Sequence, residues 1–206
     1  MSKLPAFFRN SGDPAIASYQ FIDIAEGTGI IEYMGARLSG AVNYILTTNP
    51  IYSDLAFTQV STSGTTTILD ADFDVTFNLP KVINGNLVAN IPLTNSGSGT
   101  TNQLKATVDV MHYDGTTETS LASGATLGPV TNGATPTHYS IRSIALDVPK
   151  TNFKQGDTLR IRVLAESVGS NTVAAVGHDP AARTISDQPT MATSRMSFYV
   201  PFDLDL

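Results

Sequence analysis

A chain of 206 residues, 41% hydrophobic and only 15% charged, has apolar material enough for one core and a length that suits a single all-β unit. Its net charge of −6 and scattered lysines and arginines exclude the concentrated cationic face that phosphate binding needs, so nucleic acid is not an expected partner. The lack of cysteine excludes disulfides and thiolate metal sites, and no apolar run approaches the ~18 residues of a membrane-spanning helix, so no membrane is expected either.

Residues 1–18 show no periodicity, contain Pro5 and the turn signal Ser11-Gly12-Asp13-Pro14, and read as an N-terminal arm ahead of a β-domain over 19–206. Their opening residues lack the apolar stretch of a secretory leader. Phe7 and Phe8 are the arm's candidate intersubunit contacts, because paired aromatics are costly to leave in water.

From Tyr19 the pattern turns to strands. Phe21 and Ile30-Ile31 flank Glu26-Gly27-Thr28-Gly29, expected to be a turn, and short strands follow at Tyr44-Ile45-Leu46 and Ile51-Tyr52. Leu69, Ala71, Phe73, Val75, Phe77 and Leu79 then alternate with Asp70, Asp72, Asp74, Thr76 and Asn78, the period of a half-buried strand. Pro80 ends it, and Asn84-Gly85 predicts a turn before the inward row Leu87, Ala89, Ile91, Leu93.

Leu104, Ala106, Val108 and Val110 form the next row, and Asp114-Gly115 is a hairpin signal before Thr116–Leu121. His138–Val148 alternates with Ile144, Leu146 and Val148 on one face. Gln155-Gly156-Asp157 turns into Leu159, Ile161, Val163, Ala165, with Arg160, Arg162 and Glu166 outward. Met196–Leu206 closes the series. With no 3.6-residue stripe, about eight strands and several long loops, the expected fold is an antiparallel β-sandwich of the jelly-roll kind.

Candidate chemistry is thin. "VGHDPAAR", Val176–Arg183, places His178 beside Asp179, but neighbours on an extended chain point to opposite faces and cannot act on each other. The stretch reads as a stiff turn, with His178 and Arg183 as candidate contacts to a neighbouring subunit or to a capsid. Asp70-x-Asp72-x-Asp74 has the beginning of a calcium loop but lacks its glycine and distal glutamate, and Ala71 and Phe73 belong to a core. Glu26–Ile31 lacks the third glycine of a dinucleotide fingerprint. His112 and His138 stand far apart, and no G-x-S-x-G or H-E-x-x-H occurs. A sugar platform would rest on Tyr33, Tyr44, Tyr52, Tyr113 or Tyr139, since tryptophan is absent. Catalytic, cofactor and metal residues are therefore not assigned.

Several segments together carry a resemblance: Phe21-Ile22-Asp23-Ile24-Ala25-Glu26-Gly27, Tyr33-Met34-Gly35-Ala36, Ile51-Tyr52-Ser53-Asp54, Asp72-Phe73-Asp74, Gly177-His178-Asp179-Pro180 and Val200-Pro201-Phe202-Asp203-Leu204-Asp205-Leu206. They resemble virion structural proteins of tailed phages from environmental genomes, over most of the chain from Tyr19 onward. The resemblance implies a non-enzymatic capsid decoration or cement protein, made in the host cytoplasm and placed on the capsid surface. It implies a homotrimer as assembly and the major capsid protein as partner, with no cofactor. A tail, collar or head-fibre component and a carbohydrate- or receptor-binding module are the alternatives.

Overall fold

The computed structural model describes residues 28–39, 43–96, 103–129, 137–168, 170–183 and 194–203. The proposed arm, with Phe7 and Phe8, lies outside the described residues. The expected all-β class is what the structure shows: the described residues form strands joined by turns, without a helix.

The strands are β1 (Thr28–Leu38), β2 (Asn43–Thr47), β3 (Phe57–Ser63), β4 (Thr66–Thr76), β5 (Lys81–Ser96), β6 (Gln103–Tyr113), β7 (Glu118–Pro129), β8 (Thr137–Phe153), β9 (Thr158–Val168), β10 (Ser170–Gly177) and β11 (Ser197–Asp203). Hydrogen bonds link them along one path, β3-β10-β5-β11-β1-β2-β4-β9-β6-β7, with β8 on the remaining edge of β5. The sheet is mixed, because β2 and β4 pair in parallel through Tyr44↔Phe73 and Ile45↔Asp74.

The long strand β5 is the hub. One edge pairs with β8 from Lys81↔Phe153 to Ser96↔Thr137. Its other edge is divided, with β11 taking Ile83 to Asn90 and β10 taking Leu93 to Ser96. β7 makes no ladder with β8, yet a methyl added at Gly124 of β7 would sit 2.5 Å from Leu146 Cδ2 of β8. One core is filled by the alternating rows of β4, β5, β6, β8, β9 and β11.

The rows expected on β5, β6 and β9 are buried throughout: Leu87 to Leu93, Leu104 to Val110 and Leu159 to Ala165. A fully buried Leu, Ile or Phe contributes ~1.5–3 kcal/mol, so these rows dominate stability.

Four local expectations change. Asn84-Gly85 is a bulge and not a turn. The register against β8 skips between Ile83 and Gly85, and Gly85 takes φ +109°. A glycine-supported bulge lets β5 stay paired where a turn would forfeit half the ladder. Ile51-Tyr52 lies outside any strand, and Tyr52 is 75% exposed. The β4 row stops at Phe77, whose N–H bonds Asp157 O at 2.9 Å; the chain then leaves the sheet towards Pro80, and Leu79 is 67% exposed. Finally, Thr28 and Gly29, expected in a turn, already belong to β1.

Candidate functional site

The strands β3 and β10 pair from Phe57↔Gly177 to Ser63↔Ser170. The chain leaves β10 at Gly177 with no room for a side chain: a Cβ there would meet Ser194 O at 2.7 Å and Ser194 Cα at 2.8 Å. His178 N–H then bonds Ala56 O at 3.0 Å, and Asp179 N–H bonds Ser194 O at 2.9 Å. A tight turn follows, closed by Ala182 N–H to Asp179 O at 2.9 Å, with Ala182 at φ 49°. The sequence expectation of a stiff turn holds.

His178 and Asp179 are both fully buried and, as expected of neighbours, serve different partners. The imidazole lies between Thr58 Oγ1, 2.9 Å from Nε2, and Ser53 Oγ, 3.4 Å from Nδ1. Tyr44 meets it edge-on, with ring centroids 5.7 Å apart. Either tautomer keeps both ring nitrogens occupied, since each hydroxyl can donate or accept. Burial pushes His178 down to about 4, and the nearby Arg37 adds to the effect against the smaller upward pull of Asp179.

Asp179 accepts from Ser53 N at 3.2 Å, Arg183 N at 3.0 Å and Arg183 Nε at 2.7 Å. Arg183 Nη2 also reaches Ser53 O at 2.5 Å, fixing the Ile51–Ser53 segment to the turn. Burial alone would raise Asp179, but the bonds from Arg183 and Ser53 outweigh it and hold the carboxyl below its usual range. Ser53 Oγ accepts in addition from Arg37 N at 2.8 Å. On the outer side, the Arg183 guanidinium lies 5.1 Å from the centroid of the exposed Tyr52 ring.

A serine, a histidine and an aspartate thus meet in one place, yet not as a triad. The acid of a triad holds the imidazole, and the nucleophile sits on the ring's other nitrogen, open to substrate. Here the Asp179 carboxylate bonds backbone and Arg183, and Ser53 is buried. A base that titrates near 4 also has little proton affinity at neutral pH. The cluster pins residues 51–58, the end of β10 and the entry to β11 together. Of the two candidate contacts here, Arg183 faces solvent, whereas the His178 ring is spent inside the fold.

The aspartates of β4 are placed differently. They project from the outer face towards β9, where Arg160 grips Asp74 through two bonds of 2.8 Å and Arg162 grips Asp70 through bonds of 2.8 and 2.9 Å. Arg160 also reaches Glu118 at 3.3 Å, and Lys105 pairs with Glu166 at 3.2 Å. Asp72 has only a 3.8 Å approach from Arg160. Partial burial raises its carboxyl, and the repulsion of Glu118 and Asp74 adds to this against the pull of the two arginines. This is a charge-compensated sheet surface, in which Asp70 and Asp74 are occupied by protein cations. His112 and Asp157 form a further pair at 2.7 Å beside the Phe153 ring.

The sequence pointed to His178 and Arg183 but not to Ser53, Thr58 or Tyr44. Those three stand more than 100 residues away and are brought in only by the fold, Thr58 by the pairing of β3 with β10 and Tyr44 from β2.

No family model matches this chain, and no curated protein matches it. Solved structures do resemble it. A CocE/NonD family hydrolase of Staphylococcus aureus aligns with TM-score 0.53 and 12% identity, over 85% of this chain and 37% of that one. An aminopeptidase of a marine sediment Thaumarchaeota archaeon aligns with TM-score 0.54 and 10% identity, over 86% of this chain and 37% of that one. The chain therefore spans little more than a third of these neighbours, and at such identity the likeness concerns the fold alone. A weaker likeness, TM-score 0.34 and 12% identity over 86% of this chain, links it to a particle chain of infectious bursal disease virus.

Proposed function

We propose that the protein is a non-enzymatic structural component of a tailed-phage particle, and within the particle a decoration or cement protein bound to the capsid shell. The observation that carries this reading is where the segments of the phage resemblance meet. Gly35 packs on Phe73 and Met196, and its N–H bonds Met196 O at 3.1 Å. Tyr44 stacks edge-on to Phe73 and to His178. Ser53 is fixed to Asp179 and Arg183. Tyr33-Met34-Gly35-Ala36, Ile51–Asp54, Phe73 and Gly177–Pro180 are thus parts of one packed corner, while Asp72 and Asp74 face outward to Arg160. Residues shared for that reason support a common architecture and not a common reaction.

The outer side of this corner offers contact surface. Tyr52, Leu38 and Leu55 are exposed, and Tyr52 stacks with Arg183. Tyrosine and arginine are enriched among residues that dominate interface energies. A protein that binds only the assembled shell stabilises it by mass action, and a trimer would suit local three-fold positions.

Cryo-EM of the particle tests the reading. Density for this fold on the capsid surface is expected, with light scattering of the free protein reporting a trimer. A protein confined to the tail would overturn the cement role. Tyr52→Ala, at a side chain exposed on the outer face, should lower shell occupancy without unfolding the chain.

A further inference from the structure

The two ends of the core are finished differently. Where β8 turns into β9, aromatic rings seal it: Phe77 lies edge-on to Phe153 at 5.3 Å and to Phe202 at 5.9 Å. At the opposite end, where β5 passes to β6, the inward positions are polar. Asn95 continues the buried row of Ile91 and Leu93. Ser140 and Arg142 continue the row of Ile144, Leu146 and Val148, and Ser167 continues the row that ends at Ala165.

Register brings Asn95, Ser140 and Arg142 to one face of the β5–β8 pair and sets Ser167 at the same end of the core. Ser140 pairs with Leu93 and Arg142 with Ile91, so Ser140 is a diagonal neighbour of Asn95 on the same face. Ser167 pairs with Leu104, which begins the buried row of β6 just beyond the β5–β6 connection. Asn95 and Ser167 are fully buried. Among the described residues, six buried side-chain polar atoms lack a hydrogen-bond partner, and five are here: both amide atoms of Asn95, the hydroxyls of Ser140 and Ser167, and Arg142 Nε. Buried polar groups are satisfied by protein or ordered water in roughly 90% of cases or more, so this concentration marks a place where water or a bound molecule supplies the partners.

We propose that this end of the core binds a carboxylate group. The orphan atoms are rich in hydrogen to donate, from Arg142 Nε, Asn95 Nδ2 and two hydroxyls. The single cation makes no ion pair with a described acid, and the guanidinium edge is the group that matches a planar carboxylate with two parallel bonds. Arg142 is only part-buried and leaves the site a route to solvent. This site stands apart from the His178 corner and does not rest on the virion reading.

Acetate is the probe, titrated against chloride at matched ionic strength and followed by the ¹H–¹⁵N signals of Arg142 Nε–H and the Asn95 side-chain amide. The expected result is a saturable shift of both signals with acetate and none with chloride. Arg142→Met should abolish it while leaving the backbone spectrum folded, and Ser140→Ala should weaken it. If Arg142→Met does not fold, Arg142→Lys keeps the charge without the fork and should lose most of the affinity. Signals that respond alike to acetate and chloride would show a general anion effect, and signals that respond to neither would show that water satisfies these atoms; either result would overturn the proposal. So would unchanged acetate binding in the folded Arg142 variant.

Discussion

Lowering the pH from 7 to 4 sets the unfolded and folded chains apart at one buried group. Unfolded, His178 takes up a proton near 6.5; folded, with its ring held between Thr58, Ser53 and Tyr44, it does so only near 4. Between these values the unfolded state binds more protons, so stability is full above 6.5, falls with pH through the window and reaches its floor below 4. A gap of about 2.5 pH units at ~1.36 kcal/mol each gives a loss of roughly 3 kcal/mol. The measurement is urea unfolding at several pH values between 7 and 4.5, for the wild type and His178→Gln, whose amide can still meet Thr58. The variant should start less stable but lose less across the window. Carboxylates held below their ordinary 3.8, such as Asp70, Asp114 and Asp179, contribute their losses only in more acid solution and do not blur the difference. Parallel loss in the two proteins would refute the account and place the acid sensitivity elsewhere.

Gly177→Ala should cost ~2–3 kcal/mol in thermal or urea unfolding, because the new methyl meets Ser194 backbone that cannot rotate away. Gly124→Ala meets only the ends of the Leu146 and Ile144 side chains, so a smaller loss is expected; the reverse order would contradict the packing described. Phe73→Ala empties a fully buried position between Tyr44 and Phe198 and should cost ~3–5 kcal/mol. Arg162→Ala breaks the two-bond grip on Asp70, yet both side chains are largely exposed, so a loss under ~1 kcal/mol is expected, shrinking as salt is added.

The rows of β4, β6 and β9 were legible because a strand's period of two is local. Leu104 to Val110 and Leu159 to Ala165 announce their buried face without reference to any partner. β3 and β10 were not legible: "FTQVSTS" and "SNTVAAVG" are rich in small polar residues and carry no strong alternation, and they are held by their neighbours, β3 by β10 and β10 by both β3 and β5. Gly85 shows the same limit. Asn-Gly is a turn signal by local preference, but a 17-residue partner strand on one side turns it into a bulge.

For the site, the residues themselves settled that adjacent His178 and Asp179 could not serve each other, that thiolate chemistry was excluded, and that the stretch between Gly177 and Pro180 would bend. Only the tertiary structure decided what they hold. Ser53 stands 126 residues from Asp179, and Thr58 stands 120 from His178. Burial of the ring, and with it the low proton affinity of His178, depends on Tyr44 and the β3–β10 pairing. Backbone preference and periodicity act over a few residues and are written in the order of the chain. Desolvation, ion pairing and the satisfaction of buried polar groups depend on which distant segments share a volume, and that is set only when the strands pair and pack.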